Sequence, residues 1–209
     1  MLIGLSGLFF SFGLYMNKSK LILYGGSFDP IHLAHVKYVE ILRKSFPDAL
    51  ILVMPSQNRL KDNAIIPIKF RIEITKIALQ KISNVVVVDW TLKWDTSSTY
   101  EVSEKIKSTL YPEYELVIAA GEDIVPSLPK WKHFNKLKNL NWVFLKRDNG
   151  IILETYKNDS NLKEIIKNAV ILDGPDINVS STQIRQGSVN PEEFIPYEVV
   201  HLVKPYLKN

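Results

Sequence analysis

A chain of 209 residues is long enough for one well-buried core and short for two independent domains. Its composition, 46% hydrophobic and 23% charged, excludes a disordered or fibrous class, and the lack of cysteine excludes disulfides, thiolate catalysis and Cys-ligated zinc. A formal net charge of +4, with Lys and Arg dispersed along the chain, suits an anionic ligand and falls short of the dense basic stripe of a nucleic-acid binder.

Residues 1–15 carry no charge and are rich in Leu, Phe and Gly. They lack the positive n-region and small-residue cleavage site of a signal peptide, and are shorter than the roughly 20 residues of a spanning helix. Met16, just before the lysines that lead into the first predicted strand, is the expected natural start. A single domain over 16–209 follows, with 1–15 as an apolar leader, a cytoplasmic location and no membrane partner.

Beyond the leader, short apolar runs alternate with segments of helical period, the pattern of an α/β fold around a parallel sheet. Five or six strands are expected, at 21–24, 50–54, 85–89, 116–120, 142–145 and 170–172. Crossover helices are expected at 33–44, 67–81 and 99–110, with Pro67 in a first turn where a missing N–H is no loss. Two more helices are expected near the C-terminus, at 180–185 and 196–207. The stretches 56–66 and 147–158 read as longer loops, and in an open α/β sheet the loops at strand C-termini form the ligand crevice.

The most informative segment is Gly25-Gly26-Ser27-Phe28-Asp29-Pro30-Ile31-His32-Leu33-Ala34-His35, which joins the first strand to the first helix. Glycines let the backbone turn sharply and approach a ligand, and the helix N-terminus directs unpaired N–H groups at an anion. His32 and His35, three apart, lie on one helical face and offer N–H donors to oxygens that gain charge in phosphoryl chemistry. Near the other end, Val179-Ser180-Ser181-Thr182-Gln183-Ile184-Arg185 follows a strand and the turn Gly174-Pro175. Ser180 or Ser181 makes a good N-cap, and Arg185 one turn later adds charge to a second anion cradle. A third element is Gly121-Glu122-Asp123 at the end of the fourth strand, with Trp131 downstream. A carboxylate at a strand end can accept paired hydrogen bonds from ribose hydroxyls, while an Asp cap and a core Trp are the plain structural alternatives.

These segments resemble, in order, the GG(S/T)FDPxHxGH, GxDxxxxLxxW and (I/V)SSTxIR motifs of the nicotinate and nicotinamide mononucleotide adenylyltransferases, within the HxGH nucleotidyltransferase superfamily. Ala34 stands where that family usually has Gly, and its extra methyl would crowd adenine or ribose. The resemblance spans nearly everything from Leu21 to Leu207 and implies a Rossmann-like, doubly wound parallel sheet with helices on both faces. It implies ATP binding by Gly25, Gly26, Ser27, Phe28, His32, His35, Gly121, Asp123, Ser180, Ser181, Thr182 and Arg185. For the mononucleotide it points to Ser27, Phe28, Lys61, Thr99, Tyr100 and Trp131, with Arg59 competing for the place of Lys61 and Leu128 completing the Trp motif. Ser98 capping the third helix is an equal alternative to a ligand role for that segment, and Arg71 matches a family arginine of structural role.

The activity so implied is transfer of the adenylyl group of ATP to nicotinate mononucleotide, with His32, His35 and Arg185 as the catalytic groups. Mg²⁺ is expected on the ATP phosphates with no dedicated protein ligand. Nicotinamide mononucleotide, a flavin and phosphopantetheine are alternative acceptors, although the last has no aromatic ring for Trp131 to stack on. A non-catalytic nucleotide sensor is the alternative from another class. No nucleic-acid partner is expected, and a homo-oligomer is compatible with the sequence.

Overall fold

The computed structural model describes residues 19–57, 65–94, 96, 98–147 and 150–207. The apolar leader, Arg59 and Lys61 lie outside the described residues. Six strands, β1 (Lys20–Gly26), β2 (Leu50–Pro55), β3 (Val85–Val87), β4 (Glu115–Gly121), β5 (Asn141–Leu145) and β6 (Val170–Leu172), form one sheet in the order β3-β2-β1-β4-β5-β6. Every pairing is parallel. This is the doubly wound Rossmann-like order, whose direction reverses between β1 and β4 and opens a crevice at their carboxyl ends.

The strands read as continuous apolar runs because both faces are covered. Side chains alternate along β1: Ile22 and Tyr24 join one apolar layer and Leu21 and Leu23 the other. The first layer is closed by α1 (Leu33–Ser45), α2 (Ile68–Leu79), α8 (Ser181–Arg185) and α10 (Tyr197–Val203) through Tyr38, Leu42, Ile74, Ile184 and Val199. The second is closed by α4 (Thr99–Lys105), the 3-10 segment Glu122–Lys130, α5 (Phe134–Leu137), α6 (Ile151–Tyr156) and α7 (Lys163–Asn168), through Val102, Val125, Leu137, Leu153 and Ile165.

Several boundaries differ from the sequence-based expectation for local reasons. The third strand stops at Val87, and Asp89 instead leads into the one-turn helix α3 (Trp90–Lys93). Pro67 precedes α2 as its N-cap rather than lying inside its first turn. The helix expected over 99–110 runs as α helix to Lys105 and then widens into a π turn, Ile106–Leu110. The last helix ends at Val203 and tightens to a 3-10 turn at Lys204–Tyr206. The stretch 147–158, expected as a loop, contains α6, whose single fully buried side chain, Leu153, is too little to imprint a period on the sequence. The same brevity hid α3, α5 and α9 (Pro191–Phe194). Beside β6, a Cβ on Gly174 would overlap the carbonyl oxygen of Lys146, so glycine is what allows that chain to pass the end of β5.

Among the described residues no helix is long and apolar enough to cross a membrane.

Candidate active site

The carboxyl end of β1 turns through Gly25 and Gly26 into Ser27 and Phe28, passes a cis Asp29–Pro30 peptide bond, and enters α1 at His32, its N-cap. Gly25 is exposed, and a Cβ there would meet only the end of Met54 at 4.0 Å, so its backbone is open to a ligand. Phe28 has φ of 45°, uncommon for a bulky side chain. Its ring is 1% exposed and packs edge-on against Tyr24 at 5.6 Å and His35 at 4.9 Å. Phe28, expected from the motif to contact a ligand, has its side chain packed in the first apolar layer. Ala34 is likewise buried in the apolar layer.

The turn is held by two buried charged groups, Asp29 within it and Arg71 from α2. Asp29, 3% exposed, accepts the N–H groups of Ile65 at 3.1 Å and Ile66 at 3.0 Å. Arg71, also buried, donates to the carbonyls of Ile66 at 2.9 Å, Ser56 at 2.9 Å and Ser27. This is the structural role expected of Arg71. Each buried charge is thus met by several hydrogen bonds, which makes its burial tolerable.

The second element is bound directly to the first. Arg185 Nη1 donates to the Asp29 carbonyl at 2.6 Å and lies 3.6 Å from Asp29 Oδ2, while Ser181 Oγ donates to the Pro30 carbonyl at 2.9 Å. Ser180 and Gln183 form a capping box at the start of α8, which occupies the Ser180 hydroxyl, and Thr182 Oγ1 accepts from Arg185 at 3.3 Å. Residues 151 positions or more apart in sequence therefore sit in one cluster at the sheet's switch point.

The two histidines are stacked, with ring centroids 3.7 Å apart. The His32 backbone N–H donates to His35 Nδ1 at 3.3 Å, so a neutral His35 carries its proton on Nε2, as a donor. His32 is 1% exposed and its Nδ1 has no hydrogen-bond partner among the described residues. Burial first, and then the charge of Arg147, lowers the His32 pKa from 6.5 to about 3. Burial, the neighbouring His32 and Arg147 also hold His35 well below its ordinary value. At neutral pH both rings are uncharged donors.

Arg147, at the end of β5, is the cation that sequence reasoning missed. Its Nε donates to the Tyr38 hydroxyl at 2.9 Å, its guanidinium lies over the Tyr38 ring at 5.8 Å, and Asp123 Oδ1 is 3.9 Å away. The available signal was the pair Lys146-Arg147 directly after a predicted strand, where the crevice of such a sheet lies. Asp123 folds back over Gly121, where any Cβ would overlap its carboxylate. Asp29, read only as part of a motif, and buried Glu122, left without a role, were missed for the same reason: their partners are remote in sequence.

Tyr100 and Trp131 pack against the second apolar layer, whereas Phe28 and Ala34 of the histidine segment belong to the first. Ser98 caps α4, accepting from Glu101 N at 3.5 Å, and Thr99 opens the helix. Tyr100 packs against the ring of His133 at 5.3 Å, two residues from Trp131, which is partly buried with its Nε1 donating to Ser127 at 3.2 Å. Glu101 ties the two segments together through Thr96 at 2.6 Å, His133 at 3.2 Å and Lys132. The structure brings the turn, His32, His35, Ser181 and Arg185 together, reaches Gly121 and Asp123 through Arg147, and forms a separate wall from Tyr100 and the Trp131 segment. Among the described residues no cluster of three or more His, Asp or Glu could hold a metal.

Comparison with known proteins bears on this arrangement. The probable nicotinate-nucleotide adenylyltransferase of Fusobacterium nucleatum subsp. nucleatum is 29% identical over 183 residues, 84% of this chain and 90% of that one. That of Thermosipho melanesiensis is 27% identical over 201 residues, covering 92% and 98%. The probable nicotinate-nucleotide adenylyltransferase/Ap4A hydrolase of Mycoplasma genitalium is 32% identical over 124 residues, and the chain spans 35% of its length. Among solved structures, the Plasmodium falciparum nicotinic acid mononucleotide adenylyltransferase complexed with NaAD shares the fold with a TM-score of 0.71 at 20% identity, covering 90% of this chain and 96% of that one. Residues 23–187, which contain the histidine turn, β4 and Arg185, match the cytidylyltransferase-like family model, and the chain belongs to that family.

Proposed function

We propose that this protein is a nicotinate-nucleotide adenylyltransferase, joining ATP and nicotinate mononucleotide to give nicotinate adenine dinucleotide and pyrophosphate. The observation that carries the reading is the cross-tied pair of phosphate elements: the His32/His35 turn and α8 are bonded through Asp29–Arg185 and Pro30–Ser181. A nucleotide polyphosphate needs donors on both sides of its chain, and this cluster provides them from two strand ends. The names of the relatives support the choice of nicotinate mononucleotide as acceptor.

In the reaction, an oxygen of the mononucleotide 5′-phosphate attacks the α-phosphorus of ATP. A new P–O–P bond forms, the bond from the α-phosphorus to the bridging oxygen breaks, and pyrophosphate leaves with the electron pair. Among the described residues the site offers no nucleophile poised beside a base, so transfer is direct and catalysis is positioning plus electrostatics. His35, with its proton on Nε2, donates to a phosphate oxygen as charge builds, and the buried His32 ring stacks beneath it. Arg185 and Arg147 supply permanent positive charge on either flank. Tyr100 and the Trp131 segment form the wall for the pyridine ring.

The donor set is N–H, hydroxyl and guanidinium groups, and the Asp29 carboxylate is committed to two backbone N–H groups. That set fits Mg²⁺ arriving on the ATP phosphates and held through phosphate and water rather than by the chain; when bound it shields phosphate charge. The reading includes one catalytic domain over 16–209 acting in the cytoplasm, supported by the cysteine-free composition.

The test is pyrophosphate release with ATP, Mg²⁺ and nicotinate mononucleotide, nicotinamide mononucleotide or phosphopantetheine in parallel. The nicotinate substrate is expected to give the highest kcat/KM. Preference for another acceptor overturns the substrate, and ATP binding without turnover of any acceptor overturns the enzyme.

A further inference from the structure

Glu122 is 0% exposed, and no step of the reaction above uses it. A buried carboxylate is costly unless its oxygens are met by donors. Both are met, and by backbone: Oε1 accepts the N–H of Arg147, and Oε2 accepts the N–H of Leu153 at 3.2 Å. Leu153 is in the first turn of α6, where N–H groups have no partner within the helix and favour a negative charge. No side-chain cation is paired with Glu122 among the described residues. Its charge is spent on holding two points of the chain, six positions apart, against the end of β4.

One of those points is Arg147. With its backbone fixed by Glu122, its side chain runs back to the Tyr38 hydroxyl at 2.9 Å and to Asp123 Oδ1 at 3.9 Å. Consecutive residues therefore grip the same arginine from two sides, Glu122 by the main chain and Asp123 by the guanidinium. Tyr38 lies on α1 three positions beyond His35, so the guanidinium is held against the helix that carries the second imidazole.

We propose that Glu122 is a positioning residue for adenylyl transfer: its carboxylate fixes the main chain at Arg147 and Leu153 and thereby sets the guanidinium against Tyr38, on the helix that carries His35. This rests on the proposed function above. A residue that only stabilised the fold would lower activity by the same factor whether or not Arg147 is present. One that acts through Arg147 loses its effect when Arg147 is gone, and a double-mutant cycle separates the two.

The experiment measures kcat/KM for wild type, E122Q, R147A and the double variant. Gln keeps the side-chain length but presents an amide N–H₂ to one of the two N–H donors, so one bond is lost. The expected result is a fall of roughly tenfold for E122Q alone, and of less than about twofold when it is added to R147A. E122D, one methylene short, is expected to fall between wild type and E122Q, and it replaces E122Q in the cycle should the latter not fold. Equal losses in both backgrounds, or no loss in either, overturn the proposal. If wild type turns over no acceptor, the proposed function fails on its own. The same cycle is then read on the ATP dissociation constant by calorimetry without acceptor, where non-additivity supports the role of Glu122 and additivity overturns it.

Discussion

Replacing Asp29 by Asn probes how the histidine turn is held. The carboxylate accepts the N–H groups of Ile65 and Ile66 and lies 3.6 Å from Arg185. Asn retains one acceptor and presents a donor where the second N–H points, which leaves that group unsatisfied at about 1–3 kcal/mol. The negative charge opposite Arg185 and near Arg71 also disappears, and removing one partner of a buried charge cluster costs about 3–5 kcal/mol in all. For a chain of this size each kcal/mol moves Tm by about 2–4 °C, so a drop of roughly 10 °C is expected in a thermal melt. A domain stable by about 5–15 kcal/mol remains folded at room temperature, and the variant can be assayed. Its KM for ATP should rise, because the carboxylate charge 3.6 Å from Arg185 Nη1 is lost and only the main-chain carbonyl of residue 29 is left to hold that guanidinium. A Tm within about 3 °C of wild type would refute the view that this carboxylate organises the turn.

Two further outcomes follow from the histidines. In the proposed reaction His35→Ala removes one donor to the transferring phosphate and should lower kcat by about 10²–10³ in steady-state assays; near-normal turnover would take His35 out of the reaction. His32 and His35 have folded-state pKa values below that of an unfolded imidazole, the first at about 3. On acidification the unfolded chain therefore takes up protons first. The stability contributed by the neutral rings is complete above about pH 6.5 and declines below it, by up to about 1.4 kcal/mol per pH unit for each ring. Urea midpoints measured from about pH 7 to about pH 5 should fall, and fall less steeply in His32→Gln; a wild-type slope equal to that of the variant would contradict the buried neutral pair.

The parts of this molecule legible in the sequence are those whose signal is local. Strand β1 with its glycine turn, the His32/His35 spacing and the Ser180–Arg185 helix are contiguous patterns, and the alternation of apolar runs with helical periods suffices for the parallel sheet. What was not legible depends on pairings across the chain. Arg71 reaches the carbonyl of Ser27 over 44 positions and Arg147 reaches Tyr38 over 109, and nothing near either arginine announces its partner. Phe28 shows the converse: a residue expected from its motif to meet a ligand has its ring buried in the core, edge-on to His35. The four-residue helices α3, α5 and α9 carry too few turns to print a period.

In the proposed reaction the adenylyl group passes directly between two substrates held at the switch point of the sheet. Incubation with ATP labelled on its α-phosphorus, Mg²⁺ and nicotinate mononucleotide, followed by separation of protein, nucleotides and dinucleotide, tests it in one measurement. Direct transfer puts the label in nicotinate adenine dinucleotide, in step with pyrophosphate release and with none retained on the protein. Label trapped on the protein, or appearing only as free AMP, would contradict it.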